Sequence, residues 1–257
     1  MLVDAYYVYW REMKRLSRQK TRIVMSVIQP VVWLVLMGNM MTGLTNNPFA
    51  ARMIGADSYL DFMTPGIMIM SALFGSVFGG VSIIWDRQTG FLNKMLAAPI
   101  SRTAIPLGKM AGIASQAALQ VIVIGIIALL LGVEFATGPA GFLLALVIII
   151  LFSFGVSGIS LSLATILKTH ESLFAVMNFV TLPMMFASNA IFPKAAMPSW
   201  LELIATYNPL SHAVTPIRTL IVQGWVWDRI INGLVVMALF ALVMIIVSSR
   251  QFKRSVG

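Results

Sequence analysis

Long apolar runs, divided by short basic or proline-rich connections, set the pattern of this chain. Charge-free runs extend from Ile23 to Leu44, Phe62 to Trp85, Met110 to Val133, Phe135 to Leu167, Ser172 to Pro193 and Ile230 to Ser249. An α-helix needs roughly 20 consecutive apolar residues to cross the hydrocarbon core of a bilayer. The pattern therefore predicts six spans. The fourth run is over-long, and its Gly138-Pro139 pair marks a turn, which puts the start of that span near Ala140 or Gly141. Gln29-Pro30 bends the first span, because proline cannot donate a helical hydrogen bond. Ser71, Gly75, Gly79 and Gly80 give the second span a small-residue face for close helix packing.

The connections carry their own periodicity. In residues 1–22, Tyr6, Tyr9, Trp10, Met13 and Leu16 share a helical face, with Arg11, Lys14, Arg15 and Arg18 opposite, which predicts a helix lying in the membrane interface. Between spans two and three, Trp85 to Arg102 holds a short amphipathic helix: Phe91, Leu92, Met95 and Leu96 fall on one side, and Arg87, Asn93 and Lys94 project elsewhere. Pro99 stops this helix and Pro106 suits the first turn of span three, so the loop is short and stiff. Such an element is suited to passing movement from a soluble partner into the flanking spans. Residues 194–227 are too apolar for a free loop and too interrupted by Pro198, Pro209 and Pro216 to span. They read as a pair of short re-entrant helices in the outer leaflet, with Trp200, Tyr207, Trp225 and Trp227 at belt level. Residues 228–257 supply span six and a basic tail. The whole is one all-α membrane domain.

Composition agrees with this class, since 59% of the residues are hydrophobic and 11% charged. The formal charge of +9 is unevenly spread: fourteen of the eighteen Lys and Arg residues fall on the side of the N-terminus. The positive-inside rule makes that side, with both termini, cytoplasmic. The basic excess then serves topology and contact with anionic lipid, not nucleic acid. The first apolar run begins after about 22 residues and reads as a retained span rather than a signal peptide.

The chemistry present is sparse. No charged residue lies inside the six runs, which disfavours proton or sodium coupling. Leu107-Gly108-Lys109-Met110 lacks the earlier glycine and the Ser/Thr of a phosphate-binding loop, so the chain is not expected to hydrolyse ATP. There is no cysteine, and the two histidines and nine carboxylates show no ligand spacing for a metal. Gly155-Val156-Ser157-Gly158 matches the GxSG pattern of rhomboid proteases, but His170 and His212 both fall in connections, where neither can serve a serine in span four. Helix packing explains the fragment better. An intramembrane protease and a membrane scaffold without transport remain the alternative readings.

Two segments resemble the permease subunits of type-2 ABC exporters, the group of drug-resistance, polysaccharide and nodulation-factor permeases. Trp85 to Arg102 is similar to that family's loop "E-R-E-x-G-T-L-E-x-L-x-x-x-P-x-S-R". Leu182-Pro183 to Phe192-Pro193, Pro198 to Leu201 and Asn208-Pro209-Leu210 to Arg218 are similar to its "L-P-x-x-x-x-S-x-x-x-F-P" and "P-x-W-L…N-P-L-x-x-x-x-x-x-R" run. Gln88 replaces a usual charge of the loop and Asn189 a usual glycine, so contact with a partner is expected to rest more on Phe91, Leu92 and Met95. The resemblance implies a pathway formed by two permease subunits, expected to be a homodimer, and two cytoplasmic ATPase subunits that hold ATP and Mg. Each ATPase would receive a coupling helix made of Arg87, Gln88, Thr89, Gly90, Phe91, Leu92, Asn93, Lys94, Met95 and Leu96. Tyr6, Trp10, Arg11, Met13 and Arg15 of the interfacial helix would give a second contact. Gln29, Met37, Met40, Phe74, Asn178, Met185 and Asn189 are the expected wall of the pathway. The cell membrane is the expected location.

Overall fold

The computed structural model describes residues 1–45, 58–191, 193–194 and 197–255, without the side chains of Arg22 and of residues 37–45. Met37, Met40 and Phe192 therefore lie outside the described side chains. Eleven α-helices are seen among the described residues: α1 Leu2–Arg18, α2 Lys20–Thr45, α3 Tyr59–Val77, α4 Val81–Gln88, α5 Phe91–Ala97, α6 Ala104–Leu130, α7 Gly138–Ile166, α8 His170–Phe186, α9 Ser199–Tyr207, α10 Pro209–Arg218 and α11 Trp227–Ser255. A 3-10 turn, Phe78–Gly80, joins α3 to α4, and a π turn, Thr219–Gln223, follows α10.

Among the described residues, four helical stretches are long and apolar enough to cross a membrane: Tyr59–Gln88, Ala104–Leu130, Gly138–Ile166 and Trp227–Ser255. They correspond to runs two, three, four and six of the sequence pattern. The fifth run is cut short, because α8 ends at Phe186 and is about 25 Å long at 1.5 Å per residue. Its end is fixed by Asn208, whose side-chain amide donates to the carbonyls of Met184 and Ala187, both at 2.7 Å. The first run lies in α2, which continues through Pro30.

Helix limits otherwise follow local chemistry. Gly138, at φ 61°, opens α7 with Pro139 in its first turn, so that helix begins two or three residues earlier than Ala140 or Gly141. Thr137 and Ala136 hold this start in place by donating to the carbonyls of Leu220 and Ile221, at 2.7 and 2.9 Å. Pro106 sits in the first turn of α6. Ala98 turns extended, as a residue before proline prefers, and ends α5.

The core lies among α3, α6, α7, α10 and α11, with Ile69, Leu73, Val121, Ile124, Ile148, Phe152, Leu210, Ile217 and Met237 buried. The Gly155-to-Gly158 stretch belongs to it: Gly155 lies against Phe240 and Gly158 against Met244 of α11. Ser157 is buried and its hydroxyl donates to the Phe154 carbonyl at 3.3 Å. Apolar residues are left exposed on most of the helices; on α2, α8, α9 and α11, Ile28, Trp33, Phe179, Leu182, Leu203 and Leu239 face outward.

Candidate functional site

The loop between the second and third long helices is built into the body of the protein. α4 continues α3 past Trp85, the last residue of its charge-free run, and α6 starts five residues before Lys109. Asp86 and Lys109 thus sit on helices rather than on a loop, and both are almost completely buried. Gly90 adopts φ 71°, a left-handed conformation natural to glycine, and reverses the chain between α4 and α5.

α1 lies across this region. Gly108 of α6 leaves room for the α1 backbone, with Ala5 and Val8 occupying the place of a side chain. From α1, Arg11 donates through both terminal nitrogens to Asp86, at 2.6 Å to Oδ1 and 3.1 Å to Oδ2. This paired geometry is the strong form of an arginine–carboxylate contact. Lys109 donates to Asp86 Oδ2 at 2.6 Å, to Glu12 Oε1 at 3.0 Å and to Ser82 Oγ at 3.2 Å. Two cations and two carboxylates therefore neutralise one another where α1, α4 and α6 meet. Burial works against the charge of Arg11, but the hydrogen bonds and field of Asp86, with Glu12 beside it, hold its pKa above the ordinary arginine value. The same guanidinium lies 3.9 Å from the centre of the Phe91 ring and 3.8 Å from Met95 Sδ, which ties α5 to the cluster. At the other end of α5, Asp4 accepts from the Ser101 backbone N–H at 3.1 Å. That bond holds the partly exposed Asp4 carboxyl below its usual pKa.

The residues expected to form a coupling helix separate into two groups. Leu92 and Met95 are buried and Phe91 and Leu96 are partly covered, whereas Gln88, Thr89, Asn93 and Lys94 are exposed. The expectation that Phe91, Leu92 and Met95 form the contact surface is therefore corrected: an amphipathic helix with a core of its own below it turns its apolar side inward. Arg87 also turns inward, donating to the carbonyls of Thr165 and Leu167 at the end of α7, at 3.3 and 3.5 Å. Gln88 Oε1 meets His170 Nε2 at 3.0 Å.

On α1, Tyr6, Tyr7 and Trp10 are exposed and Val8 and Leu16 buried. The aromatic face is thus the outward one, and the packing face passes through Val8, Glu12 and Leu16. Arg11, expected on a solvated basic face, is half-buried, while Met13 and Arg15 are of intermediate exposure. Of the expected pathway residues, Gln29 and Asn178 are exposed on the apolar faces of α2 and α8, Phe74 is 40% exposed on α3 and Met185 is half-buried. Asn189 is buried; its side chain donates to Thr215 Oγ1 at 3.0 Å and its carbonyl accepts from Arg218 at 2.9 Å. Arg218 also donates to the carbonyls of Phe62 and Ala190 and stacks 3.9 Å from the centre of the Phe62 ring. It thereby joins α10, the start of α3 and the turn after α8.

These contacts lie at the two segments whose motifs are similar to ABC exporter permeases. The model of the family described as ABC-2 type transporter matches residues 4–222. The chain belongs to the ABC-2 type transporter family. A protein named as transport permease ycf38, from Porphyra purpurea, is 36% identical over 202 residues, covering 78% of this chain and 68% of its own. A daunorubicin resistance ABC transporter permease protein, DrrB1 of Streptomyces coeruleorubidus, is 27% identical over 82% of this chain and 72% of its own. Nodulation protein J of Rhizobium leguminosarum bv. viciae is 27% identical over 82% and 77%. The matched region of this ABC-2 permease includes the buried charge cluster and the Arg218 junction.

The sequence reading missed the cluster, Glu12 above all. A signal was there: Asp86 and Lys109 stand directly at the facing limits of two adjacent apolar runs, with opposite charge.

Proposed function

We propose that two copies of this permease form a pathway through the cell membrane, driven by two separate ATPase subunits that bind ATP and Mg. Each copy crosses six times, with both termini cytoplasmic; α2 and α8 supply the spans beyond the four long ones. The exposed side of α5, with Asn93 and Lys94, docks into an ATPase groove, and α1 offers a second contact. α9 and α10 form the re-entrant outer segment and act as a lid.

The observation that carries this reading is the construction of α5. It is a short helix with a polar outer side, fastened by Arg11 to α1 and, through Asp86 and Lys109, to the ends of two long helices. A push on such a helix passes into the spans, because packed elements move as units rather than deforming smoothly.

The pathway is assigned to the faces of α2 and α8 that carry Gln29 and Asn178. A carboxamide on an apolar membrane face needs a hydrogen-bond partner, and a facing copy supplies one. Phe74 and Met185 line the same route, and an amphiphilic drug or lipid-like molecule suits its apolar walls better than a long glycan. The drug-resistance relative supports that substrate class.

Reconstitution tests the whole reading. In liposomes the permease alone should move no amphiphilic dye against a gradient, and it should do so with its ATPase and Mg-ATP. Uphill movement by the chain alone would overturn the proposal.

A further inference from the structure

A cavity of about 100 Å³ lies beside the charge cluster, between α1, the α3–α4 junction and α6. Glu12, Arg15, Phe78, Trp85, Lys109 and Gln116 are among its lining residues. Pockets for drug-sized ligands are roughly 300–1,000 Å³, so this one suits a small group rather than an exported drug.

Its charges decide which group. Lys109 is fully engaged by Asp86, Glu12 and Ser82, and Arg11 and Glu12 complete a neutral set. Arg15, of intermediate exposure, has no ion-pair or hydrogen-bond partner among the described residues and leaves the cavity with one positive charge to spare. Lined by the half-exposed Trp85 and by Phe78, the same cavity also offers apolar contact. One cation, the carboxamide of Gln116 and aromatic walls together fit a phosphate with an acyl-bearing body beside it.

We propose that this cavity holds the phosphodiester headgroup of an anionic phospholipid, with Arg15 pairing the phosphate, while the acyl chains lie outside against α3 and α6. Headgroup binding here fixes α1 against the α3–α4 junction, beside the cluster that reaches α5. The site is separate from the α2 and α8 faces assigned to transport.

The test uses the full chain in nanodiscs of phosphatidylcholine with a minor fraction of phosphatidylglycerol, followed by native mass spectrometry of the released protein. The wild type should retain one phosphatidylglycerol per chain at least fivefold more often than its share of the bilayer predicts. Arg15→Gln should bring retention down to that share, whereas Arg250→Gln, which removes an exposed cation of α11, should leave it unchanged. Gln116→Phe narrows the cavity without altering charge and should act like Arg15→Gln, which keeps the test valid if one variant fails to fold. Equal retention by wild type and Arg15→Gln would overturn the proposal. So would release of the lipid by millimolar inorganic phosphate in the absence of any preference between the two lipids, which would mark a free-anion site.

Discussion

Asp86 is the residue on which the cluster turns, because it pairs with both cations while Glu12 reaches Lys109 and Arg11 from the side. Removing its carboxylate leaves the buried Lys109 ammonium and Arg11 to share Glu12 alone, and breaking a buried pair typically costs about 3–5 kcal/mol. Asp86→Ala should therefore lower the thermal midpoint of the purified permease well beyond Glu134→Ala, as read by tryptophan fluorescence in detergent. Asp4 acts at the surface and its effect depends on pH. Since its folded pKa lies below the unfolded value, its hold on Ser101 is present above about pH 4 and is lost as pH falls through the lowered folded value. Amide exchange at Ser101 should accelerate over that acid window in the wild type, and Asp4→Asn should remove the pH step. Arg11 shows the limit of residue-level reading: helical spacing separates it from the aromatic stripe, but only its tertiary neighbours Asp86 and Phe91 draw it inward.

For the helices, periodicity identified α5 and its apolar residues while leaving open what those residues cover. An amphipathic pattern states that one face is buried, not whether the same chain or a partner buries it. Leu92 and Met95 close the chain's own core, so Phe91→Asp with Met95→Asp should destabilise the permease and reduce its yield from membranes. Asn93→Asp with Lys94→Glu alters the exposed side. It should leave the thermal midpoint within about 1 °C, on the order of the small effects usual for surface changes, and sharply reduce co-purification of the ATPase. The spans were equally legible where apolar runs are uninterrupted, as in α6, α7 and α11. Boundaries failed where side chains from distant segments set them. Asn208 ends α8, and the charge-free limits at Trp85 and Met110 stop short because Asp86 and Lys109 neutralise each other inside the fold.

Across the whole molecule, exposed apolar surface on α2 and α8 is interrupted by Gln29 and Asn178. The proposed pairing of copies places Asn178 near the partner, and the chain has no cysteine to confuse a cross-link. Asn178→Cys should give an oxidant-dependent covalent dimer in membranes, and Leu130→Cys, at the end of α6, should not. A monomeric product from both would refute that arrangement. The all-helical class and the family were accessible from sequence, because long apolar runs and the two motif segments are local features of the chain. The charge junction was not, since it depends on separations of 75 and 97 residues.

Those separations also bear on how the protein is made. α1 leaves the ribosome before α4 and α6, so Arg11 and Glu12 meet their buried counterparts only after Asp86 and Lys109 have been synthesised. At roughly 5–20 residues per second, nascent α1 must wait several seconds, undocked, for its seat. A ribosome stalled before Lys109 is added should expose that helix to added protease, and one stalled well beyond it should shelter it.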